Sequence, residues 1–466
     1  MPRPPAPRDL AIVGTGYAGL VTAVALAKQR NRVVCVDIDP HRVEAVSRGR
    51  APFFEPGLDE ALAGLVRSGR LTATTDLASA VRASEATFIC VGTPSAPDGS
   101  FDLSQVERAS RAIGVALRGD GGGRGGRRRD RHNQHHHVVV TKSTVAPTQN
   151  RTVVLPALEA ASGMVAPRDL SLASNPEFLR EGSALADALH PDRVVVGTME
   201  GDSRARRFLD ALLRPARAPI LHTSLEGAEL VKLASNAMLA TRVAFANEVA
   251  NLASAVGADG DEVLRGVGMD RRVGPDFLRA GAGFGGSCFP KDLRALVAFS
   301  EDRGVGMVVP AAALEQNDVQ PLVVVELARR ALGGALEGRR VALLGLSFKA
   351  GTDDVRETRA LPIYRALLEA GARVVCHDPM SGAAFAALAA SMGLPRPRLA
   401  RSLEAALRGS DAAVLQAGWP QYTSLGPEAL IDLMGDAPVV VDGRRALDPA
   451  RMRKAGIRYY GIGWPA

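Results

Sequence analysis

Short apolar runs that end in glycine-rich or polar turns recur along the chain and alternate with helical patterns. The first run, Leu10–Val13, enters a glycine turn. An alanine-rich helical pattern follows, and the next run, Arg32–Val36, ends at an acid, Asp37. Strands separated by helical patterns are typical of a parallel, doubly wound α/β sheet. Three later runs extend the same predicted sheet: Ala86–Gly92, Val138–Thr144 and Leu170–Ser174.

The C-terminal third of the chain repeats this pattern. Arg340–Gly345 is an apolar run into a turn, and Arg373–Asp378 ends at an acid followed by proline, much as the second run of the chain does. Asp411–Gln416 and Ala437–Asp442 supply two further runs. We therefore predict a second, smaller α/β domain of similar design.

Residues 225–255 lie between the two sets of strands and form a long helical pattern without proline. A helix of this length suggests a central spine and a dimer surface. The predicted fold class is α/β, with two Rossmann-like doubly wound parallel-sheet domains joined by a long central helix region. The predicted domains are 1–212, a central helical dimerisation domain at 213–318, and 319–466.

Composition and charge restrict the location and partners of the protein. The 466 residues carry a net charge of +7, but six arginines against two aspartates fall within 118–131 alone, so the rest is nearly balanced. This distribution argues against a nucleic-acid partner. No apolar run approaches the roughly 18 residues of a membrane span. The four cysteines have no metal or disulfide-framework spacing. We expect a cytoplasmic protein with reduced thiols and no membrane contact.

The segment 119–137 is rich in glycine, arginine and histidine. We interpret it as a solvated, disordered loop between a helix and a strand. A tether for metal or polyanion is the alternative, since histidine-rich tracts can bind metal.

Gly14, Gly16 and Gly19 match the pattern G-x-G-x-x-G between a predicted strand and a helix. In that context the glycines form a tight turn, admit a pyrophosphate and allow helix–strand packing. Asp37, at the end of the next strand, is placed to hold a ribose 2′-hydroxyl and would repel a 2′-phosphate. This favours NAD over NADP, although Arg42 lies nearby. The structural alternative is a tight packing turn.

Gly283–Asp292 places Cys288 in a glycine-rich turn, just before Pro290, which a helix tolerates in its first turn. Free backbone N–H groups and the helix dipole favour a thiolate there. Asp292 returns to the same face one turn later. The alternative is a small buried cysteine at a helix start.

Three other groups are candidates for chemistry. Lys232 and Asn236 share a helix face and could donate to an oxyanion. Glu177 and Glu181 are two carboxylates that follow a strand, and Lys142–Thr144 ends another strand, where open α/β sheets place ligands. The structural alternatives are a solvated surface pair, a capped helix start and a plain strand-end turn.

Taken together, these motifs resemble the UDP-glucose/GDP-mannose dehydrogenase family, in the family's order and over nearly the whole chain. The residues that carry the resemblance are Gly14–Gly19, Glu55–Leu58, Cys90–Pro94, Lys142–Val145, Asn175–Glu181, His190–Arg193, Lys232 with Asn236, Gly283–Asp292, Gly345–Lys349 and Asp353–Glu357.

The resemblance implies NAD-dependent oxidation of a sugar C6 alcohol to a carboxylate, with two NAD⁺ consumed and thiohemiacetal and thioester adducts on Cys288. UDP-glucose, giving UDP-glucuronate, is favoured over GDP-mannose and UDP-N-acetylhexosamine because His190–Arg193 and Asp270–Gly274 look like the UDP-glucose branch. A non-catalytic nucleotide-sugar-binding protein is the distant alternative, and it would predict loss of Cys288, Lys232 or Asp292.

The resemblance also implies site residues, a homodimer or higher homo-oligomer, and no metal. The catalytic set is Cys288 as nucleophile, Lys232 and Asn236 for the oxyanion, Asp292 with Thr144 and a water for protons, and Glu177 for hydrolysis. The cofactor set is Gly14, Gly16, Tyr17, Ala18, Gly19, Asp37, Arg42, Thr93, Thr144, Glu181 and Lys291. The substrate set is Glu177, Phe178, Leu179, Lys232, Asn236, Arg272, Phe277, Leu278, Phe284, Gly285, Lys349 and Arg444. Arg272 resembles a residue that reaches across a dimer, and Arg444 is a candidate phosphate contact.

Three features depart from the family pattern. Ala146-Pro147-Thr148 stands where the family has Pro and then a Gly-Thr turn, so that cofactor loop is expected to differ. The segment 119–137 is not a family feature. Arg279 stands where Lys is common, which keeps the charge but not the geometry.

Overall fold

A computed structural model describes residues 6–118 and 136–465. The chain divides into two compact units, Met1–Ala234 and Ser235–Ala466. The division falls inside a single long helix, Leu225–Ala255. The boundaries of the three predicted domains stay predictions.

The first unit alternates strands and helices. Its strands are β1 Asp9–Val13, β2 Arg32–Val36, β3 Leu71–Thr74, β4 Ala86–Ile89, β5 His137–Thr141, β6 Leu170–Ser174, β7 Val194–Thr198 and β8 Ile220–Ser224. Its helices are α1 Tyr17–Lys28, α2 Pro40–Ser47, α3 Leu58–Arg67, α4 Leu77–Arg82, α5 Ser104–Arg118, α6 Leu155–Ser162 (preceded by a π-helical turn, Asn150–Val154), α7 Ala184–Leu189, α8 Ser203–Leu213 and the start of α9, Leu225–Ala255.

The eight strands of this unit form one sheet in the order β3-β2-β1-β4-β5-β6-β7-β8. The first six are parallel, as predicted, and their apolar side chains form a core on each face of the sheet. β7 pairs antiparallel with the last two residues of β6. The sheet is therefore not entirely parallel. Since β7 starts beyond the carboxyl end of β6, residues 175–193 remain at that edge.

The second unit contains a second Rossmann-like sheet. Its strands are β9 Arg340–Leu344, β10 Arg373–His377, β11 Arg398–Leu399, β12 Ala412–Leu415, β13 Val439–Asp442 and β14 Arg458–Gly461. Its helices, after the rest of α9, are α10 Gly260–Gly268, α11 Phe289–Asp302, α12 Val308–Ala331, α13 Ala360–Glu369, α14 Gly382–Ser391, α15 Leu403–Leu407, α16 Pro420–Thr423, α17 Pro427–Met434 and α18 Pro449–Lys454.

The six strands of the second sheet are all parallel, in the order β11-β10-β9-β12-β13-β14. This is the order of the first six strands of the other sheet, so the predicted fold class of two such domains with a long central helix is confirmed. The turns after the first strands match as well. Gly14 N–H donates to the Val36 carbonyl, and Gly345 N–H donates to the His377 carbonyl. In the described part of the chain, no helix is long and apolar enough to cross a membrane.

The glycine-, arginine- and histidine-rich segment was predicted to be a loop. Most of it, residues 119–135, lies outside the described residues. The loop prediction was wrong for the last residue of the segment, His137. His137 begins β5, is 7% exposed, and its Nε2 lies 2.9 Å from the hydroxyl of the buried Thr87. Burial lowers the pKa of His137 to about 4, so the ring is neutral at physiological pH.

Two linker replacements should separate the segment from the strand. Replacing 121–135 with a short Gly/Ser linker should leave turnover nearly intact, since surface loops tolerate length changes at small entropic cost. Replacing 121–137 also removes His137 and leaves the Thr87 hydroxyl unpaired, which costs about 1–3 kcal/mol. Denaturant unfolding of the two variants measures the difference. A loss of activity beyond about tenfold in the shorter replacement, roughly 1.4 kcal/mol of barrier, would show that the segment acts in the reaction.

Candidate active site

The glycine turn after β1 leaves room for a ligand at one position only. Gly14 has φ +100°, and a Cβ there would lie 2.6 Å from the Cys90 carbonyl oxygen; a Cβ on Gly19 would collide with the Gly14 carbonyl oxygen. Gly16, which caps α1, has nothing within 4 Å of the same position. Gly14 and Gly19 are therefore required by packing, whereas Gly16 opens the N-terminus of α1 to a pyrophosphate. Tyr17 and Ala18 begin that helix, both partly exposed.

Asp37 lies directly after β2 and is 8% exposed. One carboxylate oxygen accepts hydrogen bonds from the Thr15 N–H (2.8 Å) and hydroxyl (2.6 Å), and the other accepts from the Asp39 N–H (3.0 Å). The Arg42 guanidinium lies 4.0 Å away. Burial opposes ionisation, but these hydrogen bonds and Arg42 outweigh it and lower the pKa of Asp37. A charged carboxylate at this strand end suits a ribose hydroxyl and disfavours a 2′-phosphate.

Tyr17 belongs to a buried network that includes a residue the sequence did not single out for the site. Its hydroxyl donates to Glu55, and the carboxylate of Glu55 also accepts the N–H groups of Gly182 and Ala184, each at 2.7 Å. Burial and Glu55 both raise the pKa of Tyr17. Glu181, a predicted cofactor residue, precedes Gly182 and acts electrostatically on Tyr17. The network ties the start of α1 to the 175–193 connection.

Thr93 and Thr144 follow β4 and β5, at the same edge of the sheet as the glycine turn. Lys142 begins the candidate group Lys142–Thr144, but no catalytic, cofactor or substrate role was predicted for it. Its Nζ donates to the carbonyl oxygen (3.2 Å) and side-chain oxygen (3.0 Å) of Asn175, and burial lowers its pKa. Asn175 in turn donates to the Val195 carbonyl. The lysine therefore holds the turn from which Glu177 extends.

Glu177 and Lys232 form a buried ion pair, with Nζ 3.1 Å from the carboxylate and side chains 11% and 4% exposed. The Leu179 N–H donates to the same carboxylate at 2.5 Å. Burial works against the charge on Glu177, but Lys232 and Leu179 outweigh it and lower the pKa of Glu177. Phe178 lies beside the pair, with Lys232 Nζ 5.4 Å and the Arg193 guanidinium 3.9 Å from its ring centre.

Asn236 follows Lys232 by one turn of α9. In the second unit its side-chain amide donates to Asp292 at 2.6 Å, and Asp292 is 1% exposed. Lys291, predicted to bind the cofactor, donates to the other oxygen of Asp292 at 2.7 Å. The predicted oxyanion amide and the predicted proton carrier thus contact each other directly.

Cys288 caps α11, is partly exposed, and its Sγ lies 3.6 Å from the Ser287 hydroxyl. Asp292 N–H donates to the Cys288 carbonyl, which places both residues in the first turn of α11. The other three cysteines, Cys35, Cys90 and Cys376, are buried.

The glycine loop before Cys288 is held by side-chain amides of α9 and α12. Asn317 accepts the Phe284 N–H (2.6 Å) and donates to its carbonyl (3.0 Å). Gly281 donates to Asn247 and accepts from Gln320. These amides satisfy backbone groups of a loop that has no strand or helix partner. No motif in the sequence pointed to Asn247, Asn317 or Gln320.

The remaining predicted substrate residues differ in exposure. Arg272 is 90% exposed and pairs with Asp270, whereas Leu278 and Phe284 are buried. Phe277 has φ +61°, and its ring and that of Phe284 lie 6.2 and 6.1 Å from the ring of Phe289.

Lys349 and Arg444 lie in the second sheet domain. Lys349 Nζ lies 5.5 Å from the Phe348 ring centre. The Arg444 guanidinium donates to the Gln416 (2.5 Å) and Phe348 (2.9 Å) carbonyls, and burial lowers its pKa to about 10. Arg444 therefore fixes the backbone next to Lys349. Its proposed contact with phosphate stays a prediction. In the described part of the chain, no group of three or more His, Cys, Asp or Glu could hold a metal ion.

Comparison with known proteins agrees with this geometry. Three models of the UDP-glucose/GDP-mannose dehydrogenase family match: the NAD binding domain at residues 8–216, the central domain at 226–319 and the UDP binding domain at 342–449. The chain belongs to this family.

Relatives match the chain along its whole length. It is 40% identical over 460 residues to UDP-glucose 6-dehydrogenase of Pseudomonas aeruginosa, covering 98% of this chain and 97% of that protein. It is 38% identical over 461 residues to UDP-glucose 6-dehydrogenase YwqF of Bacillus subtilis, covering 98% and 97%. Among solved structures, a UDP-glucose dehydrogenase of Pyrobaculum islandicum is similar with TM-score 0.88 and 42% identity, covering 100% of this chain and 99% of that one.

The matches confirm the family that the sequence motifs predicted, and they confirm NAD as the cofactor. The chain is an NAD-dependent dehydrogenase of nucleotide sugars. The open position at Gly16 and the ionised Asp37 are the features of this structure that fit NAD. The individual roles of the site residues stay predictions.

Removing the Asp37 carboxylate should weaken the preference for NAD⁺. The unaltered protein should strongly favour NAD⁺ over NADP⁺ in kcat/KM, and Asp37→Ala should reduce the ratio by about tenfold or more, since about 1.4 kcal/mol of discrimination corresponds to tenfold. Asp39→Ala is the matched control, because Asp39 is an exposed carboxylate two residues away that caps α2. Equal rates with both cofactors in the unaltered protein would refute this role for Asp37.

Proposed function

We propose that the protein is a UDP-glucose 6-dehydrogenase, which oxidises the C6 alcohol of UDP-glucose twice to give UDP-glucuronate. The observation that carries the proposal is the buried contact between Asn236 and Asp292 in the turn of α11 that Cys288 begins. It puts an amide donor, a carboxylate and a thiol at the start of one helix. The relatives described above, UDP-glucose enzymes by name, support the choice of substrate.

Asp292, with Thr144 and a water, accepts the proton that leaves the C6 hydroxyl in the first oxidation. Lys232 and Asn236 donate to the C6 oxygen as charge develops on it. When bound, NAD⁺ would supply the hydride acceptor, with one NAD⁺ for each of the two oxidations. The substrate enters as the alcohol and the first oxidation leaves it as the aldehyde.

Cys288 then attacks the aldehyde carbon. The sulfur–carbon bond forms as a proton reaches the C6 oxygen, which gives a thiohemiacetal. The helix N-terminus favours the thiolate that this attack needs. Removal of the second hydride and of the hydroxyl proton converts the adduct to a thioester. Lys232 and Asn236 stabilise the oxygen in both adducts.

Glu177 serves the last step, hydrolysis. Its lowered pKa keeps it a carboxylate at neutral pH, so it can accept a proton from water as the water attacks the thioester carbon. The carbon–sulfur bond breaks, the carboxylate product leaves and the Cys288 thiol is regenerated. Lys232, paired with Glu177, stabilises the oxyanion of this step.

The substrate set is proposed to bind the nucleotide sugar, with Phe178 and Leu179 near the sugar and Lys349 with Arg444 in the UDP binding domain. Arg272 is proposed to act in a homodimer or higher homo-oligomer, since its exposed side chain is available to a second copy. We also propose a cytoplasmic location.

Stoichiometry with a panel of sugars tests both the reaction and the substrate. UDP-glucose, GDP-mannose and UDP-N-acetylhexosamines are assayed for NADH, and UDP-glucose should give the highest kcat/KM, with two NADH formed for each sugar consumed. GDP-mannose or an N-acetylated sugar as the best substrate would replace the substrate proposed here. One NADH per sugar, with free aldehyde released, would refute the thioester route.

Replacing Cys288 by serine should separate chemistry from binding. A serine hydroxyl stays protonated where the thiol can ionise, so Cys288→Ser should bind NAD⁺ and sugar nucleotide normally while turnover falls by about a thousandfold or more. Isothermal calorimetry measures the binding, and mass spectrometry looks for a sugar ester on the introduced serine. Cys376→Ser, at a buried cysteine in the second sheet, is the control and should keep its turnover. Turnover of Cys288→Ser above about a tenth of the parent rate would make Cys288 a packing residue.

A further inference from the structure

Glu357 adopts a backbone conformation that side chains rarely take. Its φ is +52°, in the left-handed region that favours glycine. A non-glycine residue in such a region is strained and persists where its surroundings hold it. Glu357 lies between β9 and α13, in a segment without regular secondary structure. Its contacts explain why it stays there.

The backbone around Glu357 contacts the loop that leads to Cys288. Gly286 N–H donates to the Arg356 carbonyl at 3.0 Å. A Cβ on Gly285 would collide with the Glu357 carbonyl oxygen. The two segments therefore approach so closely that only glycine fits at position 285.

The carboxylate of Glu357 contacts the helix that follows Cys288. Arg294, in the second turn of α11, donates to both of its oxygens, at 2.8 and 3.3 Å. Arg359, only 7% exposed, donates to one of them at 3.1 Å. Burial opposes the charge on Glu357, but the two arginines outweigh it and lower the pKa of Glu357. A bidentate arginine pair fixes orientation as well as distance.

Glu357 thus touches the chain on both sides of the thiol: the glycine loop before it and α11 after it. We propose that Glu357 is a positioning residue that fixes Cys288 at the N-terminus of α11 through its pair with Arg294. It is not a catalytic residue, because it acts through these contacts and not on the substrate. The inference rests on the proposed nucleophilic role of Cys288.

The test uses the reactivity of the thiol itself. Cys288 is the partly exposed cysteine and the other three are buried, so alkylation of the native protein by iodoacetamide reports on Cys288. Glu357→Gln keeps the size of the side chain and removes its charge. We expect the pH midpoint of alkylation to rise, because the thiolate loses its alignment with the helix N-terminus. We also expect kcat to fall by about tenfold or more while KM for both substrates changes less than about twofold.

The matched control is Glu326→Gln. Glu326 is also a carboxylate held by two arginines, Arg329 and Arg330, but on the surface of α12. It should leave the alkylation profile and kcat unchanged. Arg294→Gln should reproduce the effect of Glu357→Gln, and the double variant should be no worse than either single one, since both remove the same contact. If Glu357→Gln does not fold, Arg294→Lys keeps the charge, loses the bidentate geometry and carries the same two measurements.

Parent-like kcat and alkylation in a folded Glu357→Gln or Arg294→Lys protein would overturn the proposal. A uniform fall in thermal stability with an unchanged alkylation midpoint would also overturn it, since that is a structural role alone. The proposed function fails by a different result, high turnover of Cys288→Ser. The alkylation midpoint needs no turnover, so the two failures are distinguishable.

Discussion

The long helix α9 is the constraint on which the predicted catalytic residues Lys232 and Asn236 depend. In the first unit Glu229 accepts the Thr148 and Asn150 N–H groups, and Lys232, one turn later, pairs with Glu177. In the second unit Asn236 donates to Asp292, and Asn247, three turns later, accepts the Gly281 N–H. A helix has a fixed rise of about 1.5 Å per residue. Within each unit, the spacing of the two α9 residues is therefore set by covalent geometry and hydrogen bonding. The helix has no proline in its interior and is continuous over 31 residues.

Buried charge around these contacts is compensated at each point. Glu177 faces Lys232, Asp292 faces Lys291 and Asn236, and Glu357 faces two arginines. A single buried charge without such partners would be strongly destabilising, and removing one partner would leave the other uncompensated. Lys232 and the Leu179 N–H lower the pKa of Glu177, and Thr15, the Asp39 N–H and Arg42 lower the pKa of Asp37. The proposed roles of the two residues, as hydrolytic base and ribose-binding carboxylate, both require the charged form.

The two sheets have the same strand order, but the turns after their first strands differ in the space that they leave for a ligand. Asp378 follows β10 as Asp37 follows β2, but its carboxylate already accepts from Trp419 and from the N–H groups of Leu346, Met380 and Ser381. The position equivalent to Gly16 is Ser347, which is fully buried. Whereas α1 begins directly after Gly16, the next helix after Ser347 is α13, which begins at residue 360. The second turn is thus closed where the first is open. This agrees with the NAD and UDP binding domains that the family models assign to the two parts of the chain.

Local patterns in the sequence were enough to identify the two sheets, the glycine turn, α9 and the family, because strand and helix periodicity and motif spacing are properties of neighbouring residues. They also brought Lys232, Asn236, Asp292 and Cys288 to notice. The reversal of β7, the buried place of His137 and the contacts of Lys142, Asn317 and Glu357 were decided by tertiary structure. Arg294 and Glu357, for example, are 63 residues apart in the chain. Contacts of that kind depend on how distant segments pack, and no local pattern encodes them.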